Sequence, residues 1–166
     1  CDLVEPLADE AAEKYGCPQY SSLQAVLDAH PKVDVIDVST GGDENGSWHF
    51  EPTMEALEAG KHVLVEKPIS NDIGEAREMV QASEETGKKL MVNHVLRFYA
   101  RFQKIKALVD SGELGEIYAA EGDYLHNTVD RIRSGWVKTR PSVVTGGGIH
   151  LIDQLLWLVG DVEEVF

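Results

Sequence analysis

Runs of β-branched residues alternating with segments of helical period set the narrowest limits on how this chain can fold. Val33-Asp34-Val35-Ile36-Asp37-Val38-Ser39 is bounded by Gly41-Gly42 and reads as a strand. Residues 50–59 then carry a helical pattern that Gly60 closes, and His62-Val63-Leu64-Val65-Glu66 is a second strand, apolar enough to be covered on both faces. Asn71 caps a longer helix with Ile73, Ala76, Met79 and Val80 on one face and Gly87 just past its end. Residues 89–93 form a third strand. Upstream, residues 8–15 are a short helix stopped by Gly16. Residues 22–30 are another, with Leu23, Val26, Leu27 and His30 on one stripe, and Pro31 breaks it. Strands and helices alternating through short connections predict a parallel, doubly wound α/β sheet.

The pattern changes after residue 94. Phe98, Phe102, Ile105 and Val109 give a helix that ends at Gly112, and residues 115–124 read as a long strand of partial alternation. An irregular polar stretch runs to about Ser142, and an apolar helix from about Ile149 to Val159 follows. The expected division is residues 1–94 and residues 95–166. The opening Cys1-Asp2-Leu3-Val4 reads as the end of a strand and Val162-Glu163-Glu164-Val165-Phe166 as the start of one. Both ends are expected to be cuts through a larger protein.

Charge narrows the classes of partner. The 166 residues carry a net charge of −14, which repels nucleic-acid phosphates and anionic membranes. No apolar run reaches the roughly 20 residues of a membrane helix. Cys1 and Cys17 provide neither a disulfide framework nor metal spacing. A cytoplasmic location is the default expectation.

Three places could carry chemistry. Asp2 ends what reads as a strand, where a dinucleotide-binding fold uses an acidic residue to bond the adenosine ribose. A 2′-phosphate would be repelled there, so Asp2 favours NAD over NADP; the competing reading is an ordinary loop aspartate. Glu66-Lys67-Pro68 ends the second strand, where open α/β sheets bind ligands. An ammonium in that position can donate to a hydroxyl or a developing alkoxide, and proline fixes the backbone and permits a cis bond. Taken alone, Lys67 is more often a solvated lysine.

Gly146-Gly147-Gly148-Ile149-His150-Leu151-Ile152-Asp153 is the third place. Its glycines let a ligand approach closely, and it sets a histidine and a carboxylate three apart on one helical face. Such a pair suits a general base, whereas a packed or capping histidine is equally compatible with the sequence. His49 follows the Ser39-Thr40-Gly41-Gly42 turn and is placed near a pyrophosphate or nicotinamide. His30 and His62 are read as structural, and His94 and His126 as pocket candidates for which structural roles are favoured.

Gly60-Lys61-His62-Val63-Leu64-Val65-Glu66-Lys67-Pro68 resembles the signature of the Gfo/Idh/MocA oxidoreductases. Glu13-Lys14-Tyr15-Gly16, Ala56-Leu57-Glu58-Ala59-Gly60, Arg97-Phe98, Ser111-Gly112-Glu113-Leu114-Gly115-Glu116-Ile117 and Gly148-Ile149-His150-Leu151-Ile152-Asp153 match in order and spacing.

The resemblance implies an incomplete Rossmann domain over residues 1–94, lacking its first strand and glycine loop. Residues 95–166 would begin an α+β domain with an open, mainly antiparallel sheet. It implies a dehydrogenase acting on a CH–OH group of a sugar, sugar acid or cyclic polyol. Lys67 and His150 would be catalytic, with Ser39, Thr40, His49 and Glu66 beside Asp2 at the cofactor and Arg97, Tyr124 and Asp153 at the substrate. No metal is expected, and the complete protein is expected to be a homo-oligomer. Many members carry an aspartate four residues before the histidine, where this chain has Gly146, so Asp153 is the alternative partner for His150. Two other readings stay open: a nicotinamide-binding regulator without turnover, and an NAD-using glycosidase-type member. The isolated chain, with strand 33–39 at an uncovered edge, is expected to be poorly stable or aggregated and to bind NAD weakly.

Overall fold

A computed structural model of the chain describes residues 1–42, 46–125, 127, 129 and 143–164. The polar stretch up to 142 therefore lies largely outside the described residues, as do His126 and the last two residues. Helix α1 (Glu5–Tyr15) ends at Gly16, whose φ of 64° is the left-handed stop that glycine adopts without strain. It starts three residues earlier than expected because Pro6 suits a first helical turn. Helix α2 (Leu23–Ala29) is capped by Ser22, which accepts from the Ala25 N–H.

The sheet is parallel and three-stranded in the order β1 (Val35–Val38), β2 (His62–Val65), β3 (Leu90–Val92). Val35 pairs with His62 and Val65 with Val92, so the carboxyl ends of all three strands open on one side. Helices α3 (Phe50–Glu58) and α4 (Ile73–Thr86) make the crossovers, and α3 packs against β2 on one side and α4 on the other. The core follows from that layering. Val38, Val63 and Val65 of the sheet meet Ala56 and Leu57 of α3 and Met79 of α4, all buried. Burying a side chain such as Leu57 completely stabilises the fold by about 1.5–3 kcal/mol.

Several expectations need correcting. The cap of α4 is Asp72 and not Asn71: its carboxylate accepts from the Glu75 N–H at 3.0 Å, while its own N–H donates to Ser70 Oγ. On α4, Met79 is buried but Ile73 and Val80 are 71% and 47% exposed, so only part of the apolar stripe faces the core. β2 buries Val63 and Val65 fully and half-buries His62 and Leu64, instead of being covered on both faces.

After β3, Val95–Phe98 forms a tight 3₁₀ turn, followed by α5 (Ala100–Asp110). Phe98 thus sits before the helix. Residues 115–124 form no strand, and no antiparallel sheet occurs among the described residues. A strand exists only where a neighbour takes its backbone hydrogen bonds, and this segment has no such neighbour among the described residues. The chain closes with a wide π-type turn (Val144–Gly148) running into α6 (Ile149–Val159).

Candidate active site

The ends of β2 and β3 set the first groups. Glu66 is held on both carboxylate oxygens: Asn93 Nδ2 donates to Oε1 at 2.6 Å and the Lys67 N–H to Oε2 at 3.1 Å. The Lys67–Pro68 peptide is cis, as the tripeptide permits. The Lys67 ammonium donates to the Gly146 carbonyl at 2.8 Å, bringing the strand end to the glycine turn before α6. The turn packs closely there: a Cβ on Gly147 would lie 3.3 Å from the Tyr124 ring, which would have to give by a few tenths of an ångström. Tyr124 in turn stacks on His150, with ring centroids 5.5 Å apart at 29°.

Asp153 does not hold His150, contrary to one expectation. Arg97 takes its carboxylate in a fork, with Nη2–Oδ1 at 2.6 Å and Nε–Oδ2 at 2.9 Å, and His94 Nδ1 lies 3.8 Å from Oδ1. A guanidinium matches a carboxylate bidentately and carries permanent charge, so it outcompetes an imidazole for the same partner. Trp157 covers the guanidinium, with Cζ 5.6 Å from a ring centroid. Arg97 and Asp153 thus bond to each other through Nε and Nη2 of the guanidinium.

The electrostatics favour neutral imidazoles. Burial lowers the pKa of His150 below 6.5, and the neighbouring charges of Lys67 and His94 push the same way. Burial also lowers His94, with Asp153 opposing and Arg97 and Lys67 reinforcing the shift. Nδ1 of each ring is buried without a hydrogen-bond partner among the described residues. A neutral imidazole can take a proton, which an imidazolium cannot.

The other predicted residues fall elsewhere. His49 is 2% exposed, with both ring nitrogens against backbone carbonyls, so it is not presented to a cofactor as expected. Thr40 spends its hydroxyl on the Trp48 carbonyl at 2.7 Å, closing the loop after β1, and Ser39 stands exposed beside it. Asp2 accepts from the Val4 N–H at 2.8 Å at the entry to α1. It lines a cleft with Gln19, Tyr20 and Ser21. His30 bonds the Tyr20 hydroxyl and His62 accepts from the Lys89 N–H, both structural as read. His94 joins the Lys67 cluster although its segment favours a structural role. Its position just past a parallel strand's carboxyl end is the signal that points to it. Asn93 was not singled out, and the same position rule applies to it.

A parallel α/β sheet with crossover helices, with a lysine and a histidine gathered at its carboxyl edge, has the layout of a dinucleotide-binding fold. Residues 2–94 match the family model described as "Oxidoreductase family, NAD-binding Rossmann fold" (GFO_IDH_MocA), and residues 102–166 match the GFO/IDH/MocA C-terminal domain. The chain belongs to the Gfo/Idh/MocA oxidoreductase family.

D-glucoside 3-dehydrogenase of Escherichia coli K12 is 35% identical over 96% of this chain and 45% of that protein. An NADP-dependent scyllo-inositol 2-dehydrogenase of Bacillus subtilis 168 is 31% identical over 81% of this chain and 37% of its own length. The structure of the WlbA dehydrogenase of Bordetella pertussis, in complex with NADH and UDP-GlcNAcA, superposes with a TM-score of 0.79. It is 27% identical and covers 98% of this chain and 47% of that one. The chain therefore spans under half the length of these relatives. No helix among the described residues is long and apolar enough to cross a membrane, and no His/Cys/Asp/Glu group among them could hold a metal ion.

Proposed function

We propose that the complete protein carrying this chain is a dehydrogenase that oxidises or reduces one CH–OH carbon of a sugar, sugar acid or cyclic polyol, with NAD as cofactor. One observation carries the reading: the Lys67 ammonium bonds the Gly146 carbonyl, on the turn that leads directly to a neutral His150. A proton donor to oxygen and a proton acceptor are thereby gathered where α/β sheets bind ligands.

The residues suit a nicotinamide cofactor by their chemistry. Asp2 lines the cleft beside Tyr20 and Ser21, where its carboxylate can hold ribose hydroxyls and repel a 2′-phosphate. Ser39 and Glu66 stand at the carboxyl ends of β1 and β2, at the edge that would receive the nicotinamide. The bound cofactor supplies the acceptor for the hydrogen that leaves carbon with its bonding pair. Lys67 keeps one N–H on the Gly146 carbonyl and directs another to the substrate oxygen, which it orients while stabilising the negative charge that develops there. His150 takes the hydroxyl proton as the carbonyl forms, and returns it in the reverse direction. Tyr124, stacked on His150, fixes the ring plane and offers its face to the apolar side of a sugar ring. Arg97 and Asp153 serve the substrate site by fixing the start of α6.

The test is to incubate the complete enzyme with NAD and a panel of inositols, hexoses, glucosides and sugar acids, following NADH absorbance. Turnover of at least one polyol is expected. NAD binding with no turnover of any of them would sink the dehydrogenase reading in favour of a regulator. Product formation without accumulating NADH would instead point to a glycosidase-type reaction.

A further inference from the structure

We infer that His49 is the positioning residue of Lys67, acting through the carbonyl of Pro68; the inference deepens the role proposed for Lys67 and rests on it. His49 is almost wholly buried at the start of α3, and its ring lies between two loops. Nδ1 is 2.8 Å from the Pro68 carbonyl and Nε2 is 2.9 Å from the Thr40 carbonyl. The loop after β1 and the loop after β2 are thus joined through one imidazole, and Pro68 is the residue next to Lys67.

The same carbonyl is gripped from a second direction. Gly46 has a φ of 81°, and a Cβ there would lie 2.9 Å from the Pro68 carbonyl oxygen and 2.8 Å from Pro68 Cγ. Only a residue without a side chain lets the turn lie that close. The Thr40 hydroxyl bonded to the Trp48 carbonyl, and the His49 N–H bonded to Gly46 O at 3.3 Å, close the collar. Carbonyl oxygens can only accept, so the tautomer of the ring decides which of the two carbonyls receives its N–H, and the other is held against the ring by packing. Phenylalanine at 49 removes the ring's hydrogen-bonding nitrogens at similar size, and the amide of asparagine restores one nitrogen that can donate.

The collar bears on the reaction through the lysine's length. Lys67 has four side-chain torsions, so its ammonium is placed only as well as the backbone it springs from. A misplacement of about 1 Å at a reacting group can cost about 10²-fold in rate. Freeing the Pro68 carbonyl lets the backbone at 67 shift, and the ammonium then leaves the Gly146 carbonyl for part of the time.

The experiment uses the complete enzyme and its His49→Phe, His49→Asn, Gly46→Ala and Lys67→Ala variants. Reductive methylation with formaldehyde and cyanoborohydride, read by mass spectrometry, gives the labelling rate of Lys67 against Lys14, Lys61 and Lys106. His49→Phe should raise the Lys67 rate several-fold and leave the other three unchanged. On the polyol found in the panel above it should lower kcat by about 10²-fold, with NAD affinity held within about twofold. Gly46→Ala should move both readouts the same way, and His49→Asn should recover part of each.

Unchanged Lys67 labelling and kcat in folded His49→Phe would overturn the inference. Should that variant fail to fold, His49→Asn and Gly46→Ala decide by the same two readouts. Lys67→Ala separates the two ideas: near-normal kcat there removes the catalytic role of Lys67, whereas the labelling rates still decide whether His49 holds it.

Discussion

Arg97 and Asp153 are joined by a forked ion pair whose shortest contact, Nη2–Oδ1, is 2.6 Å, although 56 residues separate them in sequence. The carboxylate is 8% exposed and the guanidinium 39%. The pair ties the first turn of α6, which carries His150, to the segment that leaves β3.

Removing either partner should loosen that tie. Asp153→Ala leaves a half-exposed guanidinium without its carboxylate, and solvent screening tempers the loss to about 1–3 kcal/mol. Arg97→Lys keeps the charge but not the fork and should recover only part of it. Urea denaturation of the complete enzyme checks the ordering. An Arg97→Lys variant as stable as the parent would show that the fork itself contributes nothing.

Lys67→Ala and His150→Ala should each lower kcat by about 10²- to 10⁴-fold while leaving NAD affinity nearly unchanged. Steady-state kinetics paired with NAD titration measures both. If either variant lost NAD binding along with rate, its role would belong to the cofactor site.

The two lowered histidines set a pH dependence. Each ring binds its proton more weakly in the fold than in the unfolded chain, so on acidification the unfolded chain takes up protons first. Their contribution to stability is therefore full above about pH 6.5, the unfolded value, and is lost as pH falls through the folded values below it. The acid limb of kcat/KM should also lie below 6.5, because His150 stays neutral to lower pH. A His94→Gln, His150→Gln double variant should show a flatter loss of stability between about pH 7 and about pH 5.5. Equal slopes in parent and variant would assign the loss to other groups.

Cofactor choice is expected to follow Asp2. The complete enzyme should show a higher kcat/KM with NAD than with NADP, and Asp2→Ser should narrow the ratio by removing the carboxylate that repels a 2′-phosphate. Preference for NADP in the unmodified enzyme would place the ribose contact elsewhere.

The Rossmann-type half of the fold was legible because each element carries a local signal. A β-branched run marks β1, short apolar runs mark β2 and β3, Gly16 and Gly87 stop helices in left-handed conformations, and Ser22 starts one. The failures are non-local. Residues 115–124 have strand composition, but a strand needs a partner that no local pattern guarantees. The three-residue spacing of His150 and Asp153 suggested a pair, yet a stronger donor from a distant segment took the carboxylate. His49 looked like a ligand-facing residue because its partners are main-chain carbonyls, which leave no mark in sequence. Lys67 and His150 stand out by position and resemblance, whereas the bond from Lys67 to the Gly146 carbonyl, on the turn before α6, appears only in three dimensions.

β1 has a hydrogen-bonded neighbour on one side only among the described residues, and its Val35 is half exposed. Its free backbone groups repeat with the spacing that a further parallel strand would read. They form an addressable docking line rather than a mere liability. A further parallel strand laid along this edge would extend the sheet through main-chain hydrogen bonds, whatever its side chains.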